Sequence, residues 1–191
     1  MKIICLILCF AMMFALTACD SLNEFAQTEI WEKDMFGRFY NTDGQQAQAY
    51  FEQIIASIEG KDADALEKLF SANTKTNVAN IDSQINMLFE FCSGDMISFY
   101  ESGPGSHAEK HQDRYYKEIY TTYDFTTTEG DYRLAFLFCS IDSECPENIG
   151  LQSVFIIRAE DSDTTRAYWG DDDWTPGITI EYGKIGADSL S

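Results

Sequence analysis

Ile3 to Leu16 form an unbroken run of fourteen apolar residues, preceded by Met1 and Lys2 and followed at once by the charged residues Asp20 and Glu24. The run is shorter than the roughly 20 residues that carry a helix across about 30 Å of hydrocarbon. It has the short positive start and hydrophobic stretch of a signal peptide. Residues 20–46 are polar, with Trp31, Phe36 and Phe39 scattered among them at no sustained period. This predicts a tether holding at most one short helix, with a reach of tens of ångströms at about 3.3 Å per extended residue.

Helical periodicity then sets in. Ala47, Tyr50, Phe51, Ile54, Ile55 and Ile58 recur at intervals of three and four, up to Gly60, which is the pattern of one buried helix face. Asp62 reads as the N-cap of a second helix from Ala63 to Phe70, with Leu66, Leu69 and Phe70 turned inward. Val78, Ile81, Ile85, Leu88, Phe89 and Cys92 mark a third, ending near Gly94.

The period changes after Gly94. Met96 to Glu101, Tyr115 to Thr127, Tyr132 to Ile141 and Leu151 to Ala159 are rich in aromatic and β-branched residues, as strands are. Gly103-Pro104-Gly105, Glu129-Gly130 and Pro146 to Gly150 separate them as turns or loops. Helices in one block and strands in the next predict an α+β domain, with three helices packed on one face of an antiparallel sheet of four or five strands. The expected organisation is a leader over 1–18, a tether over 19–46, the domain over 47–180 and a tail over 181–191. No internal repeat or low-complexity tract interrupts it.

The end of the apolar run is itself informative. Leu16-Thr17-Ala18-Cys19 resembles the lipobox of bacterial exported lipoproteins. That resemblance implies a diacylglycerol thioether on Cys19, cleavage before it, and a mature domain held in water at the extracytoplasmic face of the cell membrane. Acyl anchoring gains about 0.8 kcal/mol per buried methylene, so two long chains give durable attachment.

Charge narrows the partners. The chain carries a net charge of −19, and losing Lys2 with the leader takes it to −20. Nucleic acid is not expected, because phosphate backbones are bound chiefly through Lys and Arg. The same field repels anionic lipid surfaces, so membrane attachment falls to the anchor alone. A cationic ligand stays open, and acidity by itself keeps an exposed protein soluble. Of six cysteines, Cys5 and Cys9 leave with the leader and Cys19 takes lipid. Cys92, Cys139 and Cys145 remain, an odd set. A Cys139–Cys145 disulfide across a strand turn and buried free thiols are both open.

The domain invites comparison with known families at two levels. The order of elements over about Gln45 to Ile180 is similar to the cone-shaped nuclear-transport-factor-two-like, or cystatin-like, fold, with helices on the concave side of the sheet. More narrowly, Asp64-Ala65-Leu66-Glu67-Lys68-Leu69-Phe70, Gly103-Pro104-Gly105, Tyr132-Arg133-Leu134-Ala135-Phe136, Ala167-Tyr168-Trp169-Gly170 and Trp174-Thr175-Pro176-Gly177-Ile178 resemble a family of bacterial lipoproteins carrying domain of unknown function 5104. The resemblance implies a fold and a cell-envelope address. It brings no catalytic residue, and members of the wider fold bind small ligands, act as isomerases or dehydratases, or dimerise.

Candidate chemistry is sparse. His107 and His111 lie four apart, but the zincin order is absent and Gly-Pro-Gly precedes them, so the segment reads as a polar loop and not a metal site. Asp161, Asp163, Thr165 and Asp172 fit four positions of a calcium loop, yet Arg166 replaces its turn glycine and Asp172 its bidentate Glu. No metal or cofactor is therefore expected. Trp169-Gly-Asp-Asp-Asp-Trp174 sets two indoles around three carboxylates that can stack on a sugar or enclose a cation. Tyr115, Tyr116, Tyr120, Tyr123 and Tyr132 crowd the strands, and Tyr123 beside Asp124 is the pair with which an isomerase of this fold would polarise a carbonyl. The expected ligand contacts are Trp169, Asp171, Trp174 and Tyr123. The expected function is a non-catalytic module for a small ligand or envelope protein, with a homodimer open; the alternative is Tyr/Asp acid–base catalysis in the cone pocket.

Overall fold

Helix α1 spans Phe39–Gly60 and buries Ala47, Phe51, Ile54, Ile55 and Ile58, the face that the three-and-four spacing marks. The computed structural model describes residues 39–162 and 174–182. The helix starts well before Ala47, so the end of the stretch read as a tether is helical. Periodicity misses this part because its inward residue, Asp43, is a buried carboxylate and not an apolar side chain. The chain divides into two units, Met1–Thr42 and Asp43–Ser191, and the core, the sheet and the site described below belong to the second.

Four helices are present among the described residues where apolar spacing predicts three. Helix α2 (Ala63–Leu69) is capped as expected, with the Asp62 carboxylate accepting from the Ala65 N–H at 2.9 Å. Helix α3 (Ala72–Asn77) buries only Thr74 and so carries no apolar stripe; the Ser71 hydroxyl caps it by accepting from Thr74 N–H at 3.0 Å. Helix α4 (Ile81–Phe91) buries Ile81, Ile85, Leu88 and Phe89. It begins after Val78 because Asn80 takes the left-handed conformation, with φ 61°, a break that Asn tolerates well.

Among the described residues the sheet has six strands, one or two more than the apolar runs predict: β1 (Met96–Glu101), β2 (Gly105–His111), β3 (Arg114–Thr127), β4 (Asp131–Asp142), β5 (Gly150–Arg158) and β6 (Gly177–Glu181). Their order is β1-β3-β4-β5-β6, and β2 also pairs with β3. Strands β1 and β2 share one edge of β3, joined through Ser102–Pro104, where Gly103 has φ 95°. The stretch expected as a loop around His107 is thus an edge strand. Its residues are polar and mostly exposed, as edge strands often are to discourage pairing with another chain. Strands β1 to β5 pair antiparallel, whereas β5 and β6 run parallel. A parallel partner needs a crossover of about a dozen residues or more, which residues 159–176 supply in length.

Alternation along the strands gives the sheet two different faces. Ile119, Tyr123 and Phe125 of β3, Tyr132, Leu134, Phe136 and Phe138 of β4, and Leu151, Val154 and Ile156 of β5 join the helices in the main core. Ala135, Phe155 and Ile157 form a separate cluster, against which Trp174 packs. Register slips by one residue between Lys117 and Glu118 in the β3–β4 ladder and between Leu137 and Phe138 in the β4–β5 ladder. Such bulges bend the strand that carries them.

Helices and sheet are joined by polar bonds as well as by the core. Ser71 N–H donates to the Leu151 carbonyl at 2.9 Å, and Ile178 N–H to the Gln84 side chain at 2.9 Å. At Gly150, φ is 126° and an added Cβ would stand 2.8 Å from Ser71 N and 2.9 Å from Leu69 O. Only a glycine lets β5 approach the α2–α3 junction this closely.

Candidate functional site

Tyr123 is the centre of the helix-facing layer. Its ring, 0% exposed, stacks on Phe51 of α1 at 4.1 Å and lies parallel to Phe136 of β4 at 5.9 Å. Phe136 continues to Phe138, which meets Tyr50. The interior is filled by aromatic rings along this line. At the end of the Tyr123 ring the hydroxyl is buried, and no donor or acceptor among the described residues bonds to it. Leaving such a group unsatisfied costs on the order of 1–3 kcal/mol, a cost that phenylalanine would avoid.

Two carboxylates act on that hydroxyl. Glu101 is the register partner of Tyr123 across the β1–β3 ladder, and its side chain accepts from the Thr121 hydroxyl at 3.4 Å. Glu52 follows Phe51 on α1 and accepts from Gln48 Nε2 at 2.8 Å. Burial first, then Glu101, then Glu52 push the phenol pKa upward, so the proton stays on oxygen at any physiological pH. Glu101 lies within hydrogen-bonding reach of the hydroxyl and acts on it through that contact and then through its charge, although the geometry of the bond falls short of ideal. Tyr123 is thereby a fixed donor. A proton-transfer group works best with a pKa near the operating pH, and this phenol is far above it.

The opposite face holds different chemistry. Asp124 accepts two bonds from Arg133, at 2.6 Å from Nε and 3.0 Å from Nη2. It points away from the helices, as alternation along β3 requires. The Tyr123–Asp124 pair expected from the sequence is therefore not formed, because adjacent strand residues project to opposite sides. Trp174 meets Tyr120 at 6.1 Å on this second face, with φ 47° at its own backbone. Trp174 and Tyr123 pack on different faces of the sheet. Trp169 and Asp171 lie outside the described residues. Glu101 and Glu52 were missed in the sequence; the readable signal was an acidic residue at an inward position of the run Met96 to Glu101.

A family model described as Domain of unknown function (DUF5104) matches residues 53–159, more than half of the chain's 191 residues. The chain belongs to this family. The matched stretch of the DUF5104 domain contains Glu101 and Tyr123, and Trp174 lies beyond it. No curated protein matches the chain.

The remaining candidates in the DUF5104 domain are inert. Cys92, Cys139 and Cys145 are all free, the first two buried. Burial pushes the Cys92 thiol up to about 12 and the Cys139 thiol up to about 11. The Cys145 thiol is also raised, by desolvation and then by the carboxylates of Asp142, Glu147 and Glu144. Reactivity needs the thiolate, so none of the three is poised as a nucleophile. His107 and His111 share a strand face, where four residues of about 3.3 Å each hold them roughly 13 Å apart. His107 pairs with Glu109 at 2.9 Å. Among the described residues no group of three or more His, Cys, Asp or Glu is placed to hold a metal ion. Of the calcium-loop residues, Asp163, Thr165 and Asp172 lie outside the described residues.

Proposed function

We propose that the protein is a bacterial lipoprotein, anchored by lipid on Cys19 at the extracytoplasmic face of the cell membrane, whose α+β domain is a non-catalytic module for a small ligand or an envelope partner. The observation that carries the binding reading is the Tyr123 hydroxyl, a buried donor beside the Glu101 carboxylate without an ideally placed acceptor. The pocket-like half of a nuclear-transport-factor-two-like cone is the natural setting for it. The bulges in the β3–β4 and β4–β5 ladders and the left-handed Gly103 between β1 and β2 support such curvature. The address rests on the leader and the Leu16-Thr17-Ala18-Cys19 box. No helix among the described residues is long and apolar enough to cross a membrane.

A second reading is an isomerase or dehydratase in which Tyr123 polarises a carbonyl and a carboxylate takes a proton. The convergence of Tyr123 and Glu101 favours it, with Glu101 in place of Asp124. The aromatic filling between Phe51, Tyr123, Phe136 and Phe138 weighs against it, since a substrate carbonyl needs room beside the phenol.

Metabolic labelling with palmitate tests the anchor. Cys19→Ala should abolish both the label and membrane fractionation; a variant that still incorporates palmitate at the membrane refutes the assignment.

A further inference from the structure

The two strands that share one edge of β3 are built differently. Strand β2 exposes His107, Glu109, Lys110 and His111, the polar dress of an edge that resists pairing with another chain. Strand β1 reads Met96-Ile97-Ser98-Phe99-Tyr100-Glu101 and ends the sheet order, with β3 as its one partner among the described residues. It has no proline or lysine, and no charge before Glu101. Ile97 and Tyr100 are 65% and 70% exposed, and Phe99 is 41% exposed although its ring meets Phe51 of α1 at 5.0 Å. Phe99 is on the helix side of the sheet, and alternation puts Tyr100 on the other. Large side chains therefore stand open on both faces of one edge strand.

The backbone of β1 is open along the same edge. Ser102 N–H donates to the Thr122 carbonyl at 2.9 Å, so the two-residue period turns Ser98 and Tyr100 toward β3 and the N–H and C=O groups of Phe99 and Glu101 outward. Both ends of this edge are acidic. Glu59 accepts from Met96 N–H at 2.7 Å, Asp95 precedes the strand and Glu101 closes it. None of the three belongs to an ion pair among the described residues.

We propose that β1 is a docking edge that takes an extended segment of a partner protein as an added strand, apolar at its centre and with Lys or Arg at both ends. This surface is independent of the buried Tyr123 hydroxyl. Each property of the occupant answers a property of the edge. The outward groups of Phe99 and Glu101 call for main-chain hydrogen bonds, and Phe99 and Tyr100 cover alternate side chains of the added strand on its two faces. The acids at the ends attract basic residues there, and a net charge of −19 turns acidic partners away. A second copy of the chain matches the apolar centre but brings the same acidic ends, so like charges would gather at both ends of the pair.

Titration of the full-length chain, purified in mild detergent, with the peptide acetyl-Lys-Val-Thr-Val-Thr-Lys-amide tests this. A version with Glu at both ends reverses the charge; a version with every interior amide N-methylated keeps charge and apolar surface but cannot donate to an edge. The expected result is saturable binding of the first peptide, binding at least about tenfold weaker for the Glu version, and none for the N-methylated one. Amide hydrogen exchange read residue by residue should slow at Phe99 and Glu101 on binding, with Ser98 and Tyr100 little changed because β3 already holds them. Tyr100→Lys, at an exposed position, should weaken binding by roughly five- to tenfold with the melting temperature kept. Absence of saturable binding up to about 1 mM, equal binding of the three peptides, or unchanged exchange at Phe99 and Glu101 overturns the inference. Slowing of exchange at those two amides with rising protein concentration and no peptide also overturns it, because a second copy is then the occupant.

Discussion

At the scale of single residues, Tyr123 and Lys117 show two ways of holding a polar group inside. Lys117 is neutralised: its ammonium meets the Asp43 carboxylate at 2.6 Å with both side chains almost fully buried. Removing one member leaves the other as a buried charge, so Lys117→Met alone should cost about 3–5 kcal/mol in denaturant unfolding, while Asp43→Leu combined with Lys117→Met should cost much less. Equal losses in the single and double variants would contradict that account. Tyr123 is left open, and Tyr123→Phe should therefore raise the stability of the ligand-free protein by about 1 kcal/mol. A clear loss of stability would mean that the hydroxyl has a partner. The ring itself was legible in the sequence as one of the strand tyrosines. Its carboxylate neighbours were not, because they depend on the β1–β3 register and on which turn of α1 lies overhead, and neither is written in local spacing.

At the scale of elements, capping and turn chemistry decide more than apolar periodicity. Asp62 and the runs for β1, β3, β4 and β5 could be read directly, since each carries either a cap or a dense β-branched and aromatic composition. Helix α3 and strand β2 could not, because one buries a single threonine and the other is a charged edge. The β4–β5 connection depends on Asp142, whose carboxylate accepts from the N–H groups of Glu144 and Cys145 and from Asn148 Nδ2. Those bonds, the Asn148 one foremost, hold its pKa below the ordinary 3.8. A depressed folded pKa gives stability that is present above the ordinary value and lost as pH falls through the folded one. Urea unfolding should thus show Asp142→Asn less stable than wild type at neutral pH, with the gap closing in acid; a gap independent of pH would rule out the ionised carboxylate as its source. Next to this turn, Gly150→Ala meets backbone at under 3 Å with φ 126° and should lose at least about 1–3 kcal/mol, read as a lowered unfolding midpoint with an unchanged denaturant slope.

At the scale of the whole molecule, the order of helices before strands foretold the α+β class and a sheet with one face on the helices. What escaped was the parallel β6 and the second apolar face around Trp174, which arise only when a late segment returns to the far edge of the sheet. That return also explains why Trp174 and Tyr123, both conspicuous in the sequence, serve different sides. The Asp43–Lys117 contact has a mechanical consequence. It joins positions 74 apart in the chain, at the point where α1 enters the second unit. Parting α1 from β3 here would strand a bare charge on each side until water entered, so the start of the second unit is tied to the sheet by electrostatics as well as by apolar packing.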